Sequence, residues 1–316
     1  MSQGPTGEDA VIDWTDLPPD PAPDLNEARQ LLHWGVQLLA GAADASLPKA
    51  ADDSHTNVFW DAGRRMLVGR PLGDGSGLRL GLAPRDLSVF AVGERDVVPE
   101  GTPQGPVLRL ADLTLTDAAD RLGRVLSQRL GRRVDIQFRD YDMPDHPVGN
   151  GHPFPSPPAL ALSELAIWYG LGTAAIESLA SDDERAVPVA IWPHHFDIGT
   201  ILFLGGVPGS GVGDTPSTEA AAGARERAPQ IGVGLSPGDG SLPEPYFYVT
   251  PWPVDSWENL PDLPHGRWQT EGFQGAVLGA AAVHSLPGPE RQAAVDGFLR
   301  NAVTLGERLI RRGSQD

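Results

Sequence analysis

Residues 165–180 read LAIWYGLGTAAIESLA, and residues 31–46 read LLHWGVQLLAGAADAS. Each is a long apolar segment containing a tryptophan, and each is followed by a second tryptophan in a strand-like run. Trp34 precedes Trp60 of NVFWDAG (57–63) by 26 residues; Trp168 precedes Trp192 of AIWPHHFDIG (190–199) by 24. A Gly-Leu-small-Pro-x-Asp run then recurs at Gly81–Asp86 and Gly234–Asp239, and an amphipathic segment closes each half at 115–133 and 290–312. Four matches in one order suggest a tandem duplication. In the first closing helix Leu115, Ala118, Leu122, Val125, Leu126 and Leu130 form one apolar stripe, with Thr114 placed to cap it. Strands are expected at 57–61, 66–71, 78–82, 87–92, 134–139, 187–193, 198–204, 230–235, 245–250 and 275–283. They are short, sequential and separated by Gly, Asp and Pro turns, which favours antiparallel pairing. The expected class is α+β, a repeated helix–antiparallel strands–helix unit with helices packed on sheet faces.

The expected organisation is an acidic disordered tail at 1–24, a first repeat at 25–140, a Pro/Gly-rich linker at 141–158 and a second repeat at 159–316. The tail carries Glu8, Asp9, Asp13, Asp16, Asp20 and Asp24 with no Lys or Arg. A small-residue insertion at 205–229 is expected to be a mobile loop.

Composition narrows the chemistry. The formal net charge of −18 disfavours nucleic acid and anionic lipid as partners. With no cysteine, thiol nucleophiles, thiolate metal sites and disulfides are excluded. Lys49 is the only lysine, which makes Schiff-base chemistry improbable. No signal peptide is recognised and no apolar run reads as a membrane span, so a cytoplasmic protein is expected. The preference for Arg over Lys, with abundant Ala, Gly and Pro, suggests a bacterial source.

Two stretches carry the candidate site. Taken as extended, residues 190–199 alternate faces, putting His194 in the core beside Trp192 and Phe196, and His195 with Asp197 on the opposite face. His195 would be an acid/base and Asp197 the carboxylate that orients it. In PEPYFYVTPWP (243–253) the same alternation puts Glu244, Tyr246, Tyr248, Thr250 and Trp252 on one face and Phe247 and Val249 on the other. If the two strands are neighbours, His195, Asp197 and Glu244 form a catalytic group, with His194, Tyr246, Tyr248 and Trp252 contacting a small polar ligand. No H-x-H or H-x-x-x-H spacing occurs, so neither metal nor cofactor is expected. Gly234-Leu-Ser-Pro-Gly238 has the spacing of a nucleophile elbow. However, Pro237 lacks the N–H that an oxyanion hole needs, so Ser236 reads as part of a tight turn.

Trp192 followed by Phe196-Asp197, Gly234-Leu-Ser-Pro-Gly238 and Pro243-Glu-Pro-Tyr-Phe-Tyr248 together resemble a bacterial family catalogued as domain of unknown function 5996. The resemblance spans residues ~30–310 in loose alignment. This chain differs from that pattern in having His194 and His195 where small residues stand, and Pro229-Gln230 in place of a His-Glu pair. The family carries no assigned activity. Two functions remain open: acid/base chemistry on a small polar substrate, or non-catalytic ligand binding or scaffolding.

Overall fold

The computed structural model describes residues 12–73, 75, 77–93, 105–181, 183–205 and 219–313. The chain runs α1 (Leu25–Ser46), β1 (Phe59–Asp61), β2 (Met66–Val68), β3 (Arg79–Ala83), β4 (Ser88–Val92), β5 (Leu108–Arg109) and α2 (Leu115–Leu130). It continues α3 (Ala159–Ser181), β6 (Ala190–Ile191), β7 (Ile198–Phe203), α4 (Glu219–Arg227), β8 (Gln230–Ser236), β9 (Tyr246–Trp252), β10 (Arg267–Gln269), β11 (Gly275–Gly279), α5 (Ala280–His284) and α6 (Gly288–Gly313). The fold is α+β with antiparallel sheets. One sheet has the order β1-β2-β3-β4-β5 and the other β10-β11-β9-β8-β7-β6. They meet edge to edge where Val58 and Ile191 exchange backbone hydrogen bonds of 3.1 and 2.7 Å.

Helices α1 and α3 pack together, α1 over β3, α3 over β7 and β8, and α6 over β9. Alternation explains which sheet face they cover. Ile231, Val233 and Leu235 of β8 and Phe247 and Val249 of β9 are buried among the helices, and Phe247 lies between the rings of Trp14 and Trp168. One contiguous apolar core contains residues of both halves, so the proposed repeats share an interior. Like elements meet across the middle, α1 with α3 and β1 with β6. This arrangement suits a duplicated chain but does not establish one.

Several expectations need correction. The acidic segment is not loose from residue 12 onward. Trp14 and Leu17 are buried, Asp13 caps a 3-10 turn, and the Trp14 and Leu17 carbonyls both accept from Arg291 Nη1 at 3.1 Å. Within the linker 141–158, His146, Val148 and Phe154 are buried, so it lies against the fold. Residues 134–139 pair with no strand among the described residues. They cross beside α2, where Val134 N–H donates to Ser127 Oγ at 2.8 Å. An ion cluster fastens the end of this segment. Arg139 bonds Asp44 at 2.6 Å and Asp53 at 2.5 Å, and His55 bonds Asp44 at 3.0 Å. Burial alone would raise the Asp44 carboxyl, but Lys49, Arg139 and His55 hold it well below the carboxylate range. Residues 280–284 turn into helix α5 where a strand was expected to continue. Of the expected loop, 206–218 lies outside the described residues and 219–227 is helix α4. Thr114 Oγ accepts from Asp117 N–H at 3.1 Å at the start of α2.

Helix α3 is long and apolar enough to cross a membrane by length and composition, where the sequence reading expected no membrane-spanning run. Here 61% of that window is buried inside the fold. Its packing on α1, α6 and both sheets is that of a core helix.

Candidate functional site

Residues 190–199 are not a continuous strand. Ala190–Ile191 pairs with Ile198–Gly199, and residues 192–197 form the connecting turn. Trp192 N–H donates to the Asp197 carbonyl at 3.1 Å, and Phe196 N–H donates to the Trp192 carbonyl at 2.6 Å. Pro193, with no N–H, suits this break. Phe196 sits in the left-handed region at φ 61°, a conformation that costs a non-glycine residue about 1–3 kcal/mol and persists only where the surroundings enforce it. Here they do. The Phe196 ring is buried, stacked on His33 at 4.9 Å and packed against Tyr169 at 5.4 Å. Its carbonyl accepts from Tyr169 Oη at 2.7 Å. The Pro193 carbonyl accepts from Gln37 Nε2 at 2.7 Å and from His33 Nε2 at 2.9 Å. That contact requires the His33 proton on Nε2. Burial lowers the His33 pKa to about 4, so the ring is neutral near pH 7. Helix α1 of the first half therefore clamps the turn of the second.

The turn overrides the alternation on which the histidine assignments rested. His194 and His195 are neighbours, with ring centroids 4.3 Å apart. His194 is half-buried beside Trp192 and Tyr141 and not in the core. Burial first, and the neighbouring His195 second, lower its pKa to about 4. His195 is exposed. Among the described residues no hydrogen bond joins it to Asp197, on which it acts only as a nearby charge.

The partner of Asp197 is Tyr248, whose hydroxyl donates to Asp197 Oδ2 in a short hydrogen bond. The strand register explains the reach. Tyr248 of β9 lies opposite Gly234 of β8, which lies opposite Gly199 of β7, so no side chains intervene. The ring crosses this glycine row, and a Cβ on Gly234 would collide with the tyrosine Cζ and Oη. Asp197 as a residue is half-buried, but its Oδ1 is sealed from solvent and has no hydrogen-bond partner. Burial raises the Asp197 pKa, against the lowering effects of the Tyr248 hydrogen bond and the His195 charge. Tyr248 is pushed well above the ordinary phenol value by burial and then by Asp197.

This pair stands in a cleft of about 560 Å³ between the halves. Asp52, Asn57 and Arg70 line it from the first half; Thr200, Arg225 and Thr250, with His194 and His195, line it from the second. Asn57 is buried, and its Oδ1 also has no partner. Arg70 donates from Nε to the Ser54 carbonyl at 2.7 Å and lies over the Phe59 ring at 5.2 Å.

The remaining candidates fall elsewhere. Glu244 precedes β9, which begins at Tyr246, and it is exposed and does not line the cleft. Tyr246 is buried and donates to Asp239 Oδ2 at 2.6 Å, and so is drawn away from Asp197. Trp252 faces an adjoining compartment. Ser236 ends β8 and accepts from Gly238 N–H at 3.2 Å within a turn. Among the described residues no group of three or more His, Asp or Glu side chains is placed to hold a metal ion. Asn57 and Arg70 escaped the sequence reading because neither occurs in a pattern that marks chemistry; only the meeting of the two sheets brings them to Asp197. The chain matches no family model, no curated protein and no solved structure.

Proposed function

We propose that the protein binds a small polar molecule in this cleft and acts on it through the Asp197–Tyr248 pair as an acid/base group. One observation carries the reading. Asp197 lines the cleft with one oxygen bonded to the Tyr248 phenol, while the other has no partner and is covered until a small rotation of the side chain brings it to the cleft. A carboxyl whose pKa burial has raised holds its proton to higher pH than an exposed one, as a general acid requires. Donation from Oδ1 to a ligand oxygen or nitrogen leaves a carboxylate. The Tyr248 hydrogen bond becomes stronger on forming that charge, so it stabilises the product of proton transfer. His33, Gln37 and Tyr169 position the turn without touching the ligand. This assigns to Asp197 the role the sequence suggested for His195, with His195 at the rim.

The same proposal includes the bacterial source, the resemblance to the uncharacterised family, a cytoplasmic location, and no nucleic-acid or membrane partner. The last is supported by the net charge of −18. The test is a thermal-shift screen of small polar metabolites on the wild type, followed by product analysis of each binder with wild type and D197N. The reading expects binding in both proteins and turnover only in the wild type. Binders that are turned over equally by D197N would refute it.

A further inference from the structure

The cleft does not end at the tyrosine. Its floor residues Ile201, Gln230, Gly232 and Thr250 also line a second compartment of about 470 Å³ on the same open sheet face. Trp252 and Trp257 stand in that compartment. Trp252 is 44% exposed, unusual for so large an apolar side chain. The Trp257 ring meets Trp268 edge-on at 6.1 Å, and the Trp268 indole N–H is tied to the Pro261 carbonyl at 2.7 Å. Strand alternation links the two compartments. Tyr248, Thr250 and Trp252 project from one face of β9, so the polar pair and the exposed indole lie about 13 Å apart along one strand.

The chemistry at each end defines what fits. At the first, Asn57 and Asp197 both line the cleft and each leaves its Oδ1 without a partner. The two atoms are covered in the unliganded fold, so a ligand reaches them on a side-chain rotation, and an acceptor left unpaired costs about 1–3 kcal/mol. A hydroxyl donates to the amide oxygen, and it either donates to or accepts from the carboxyl in whichever protonation state it meets. The cleft is lined by Arg70 and Arg225 and by Asp52, Asp53 and Glu226, of which Asp53 is already paired with Arg139 outside the cleft. Two cations facing two remaining carboxylates favour a ligand without net charge. At the other end an exposed indole suits the C–H face of a sugar ring. A nucleoside carries its flat base directly beside its hydroxyls, whereas a separation of about 13 Å suits successive rings.

We propose that the two compartments form one groove for a short neutral saccharide, with hydroxyls at Asn57 and Asp197 and a further ring on Trp252. This rests on the cleft being the ligand site. The experiment is isothermal titration of the full chain with maltotriose, cellotriose, mannotriose, xylotriose and triacetylchitotriose, each against its monosaccharide, with adenosine as comparator. At least one trisaccharide should bind ten-fold or more tighter than its monosaccharide. W252A should abolish that advantage, and D197N should weaken both sugars. No binding by any of the five, equal affinity for trisaccharide and monosaccharide, or tighter binding of adenosine would overturn the saccharide assignment. If W252A changes nothing while D197N still alters binding of a small molecule, the extended groove fails and the cleft stands. If D197N alters neither the binding nor the turnover of any bound molecule, the cleft reading itself fails.

Discussion

Gly234→Ala is expected to be among the most damaging single-methyl additions in the second sheet. The added Cβ would lie 2.6 Å from the Ile198 carbonyl oxygen and closer still to Tyr248 Cζ and Oη. The carbonyl is held in the β7–β8 ladder and cannot yield cheaply, and the tyrosine can yield only by leaving Asp197. Overpacking costs about 1–3 kcal/mol, and the lost hydrogen bond adds roughly 1 kcal/mol. The expected destabilisation is therefore about 3 kcal/mol, read from urea midpoints at constant slope. Gly240 is the control. Its Cβ would meet nothing within 4 Å, so Gly240→Ala should stay within about 0.5 kcal/mol of wild type. In a Tyr248→Ala background only the carbonyl collision remains, and the further cost of Gly234→Ala should fall to about 1 kcal/mol. A loss below about 0.5 kcal/mol for Gly234→Ala alone would mean that Tyr248 does not cross the glycine row, and the Asp197–Tyr248 pairing would fall with it.

Asp197 has its folded-state pKa raised, so its stabilising contribution is complete below the unfolded value of about 3.9 and is lost as pH rises through the folded value. D197N, which does not titrate, should gain on the wild type in urea titrations as pH rises from 4; a constant gap would contradict this. His33 is shifted the other way, to about 4. Its contribution is present above about pH 6.5 and is lost as pH falls toward 4, by about 3 kcal/mol. H33Q should flatten that acid limb, and an unchanged limb would show that His33 is not buried neutral. Y248F leaves Asp197 Oδ2 without its donor and should cost about 1–3 kcal/mol, whereas a surface-like effect near zero would place the phenol elsewhere.

Much of the fold is legible in the chain because its longer elements keep a clear hydrophobic period. The stripe on α2 and the alternation that buries Phe247 and Val249 while turning Tyr248, Thr250 and Trp252 to the open face are plain in the sequence. Strands β5 and β10, of two and three residues, are too short to show a period. The histidine stretch misled for a local reason. Its apolar residues mimic alternation, while Pro193 and a left-handed Phe196 make a turn that His33, Gln37 and Tyr169 help to hold from 27 to 160 residues away. The pairing of Asp197 with Tyr248 depends on a register set by β7, β8 and β9 together, and Asn57 reaches the same cleft from the other sheet. Tyr246 shares the face of Tyr248, but Asp239 in the preceding turn takes its hydroxyl.

The most direct test is an NMR titration of the Asp197 carboxyl carbon in ¹³C-labelled protein, assigned by its loss in D197N. The resonance should titrate above the ordinary aspartate value of about 3.9. In Y248F it should move higher still, because the hydroxyl that favours the charged form is gone. A carboxyl that titrates at or below about 3.9 in wild type, or one that Y248F leaves unmoved, would contradict the account of a buried, tyrosine-bonded acid at the cleft.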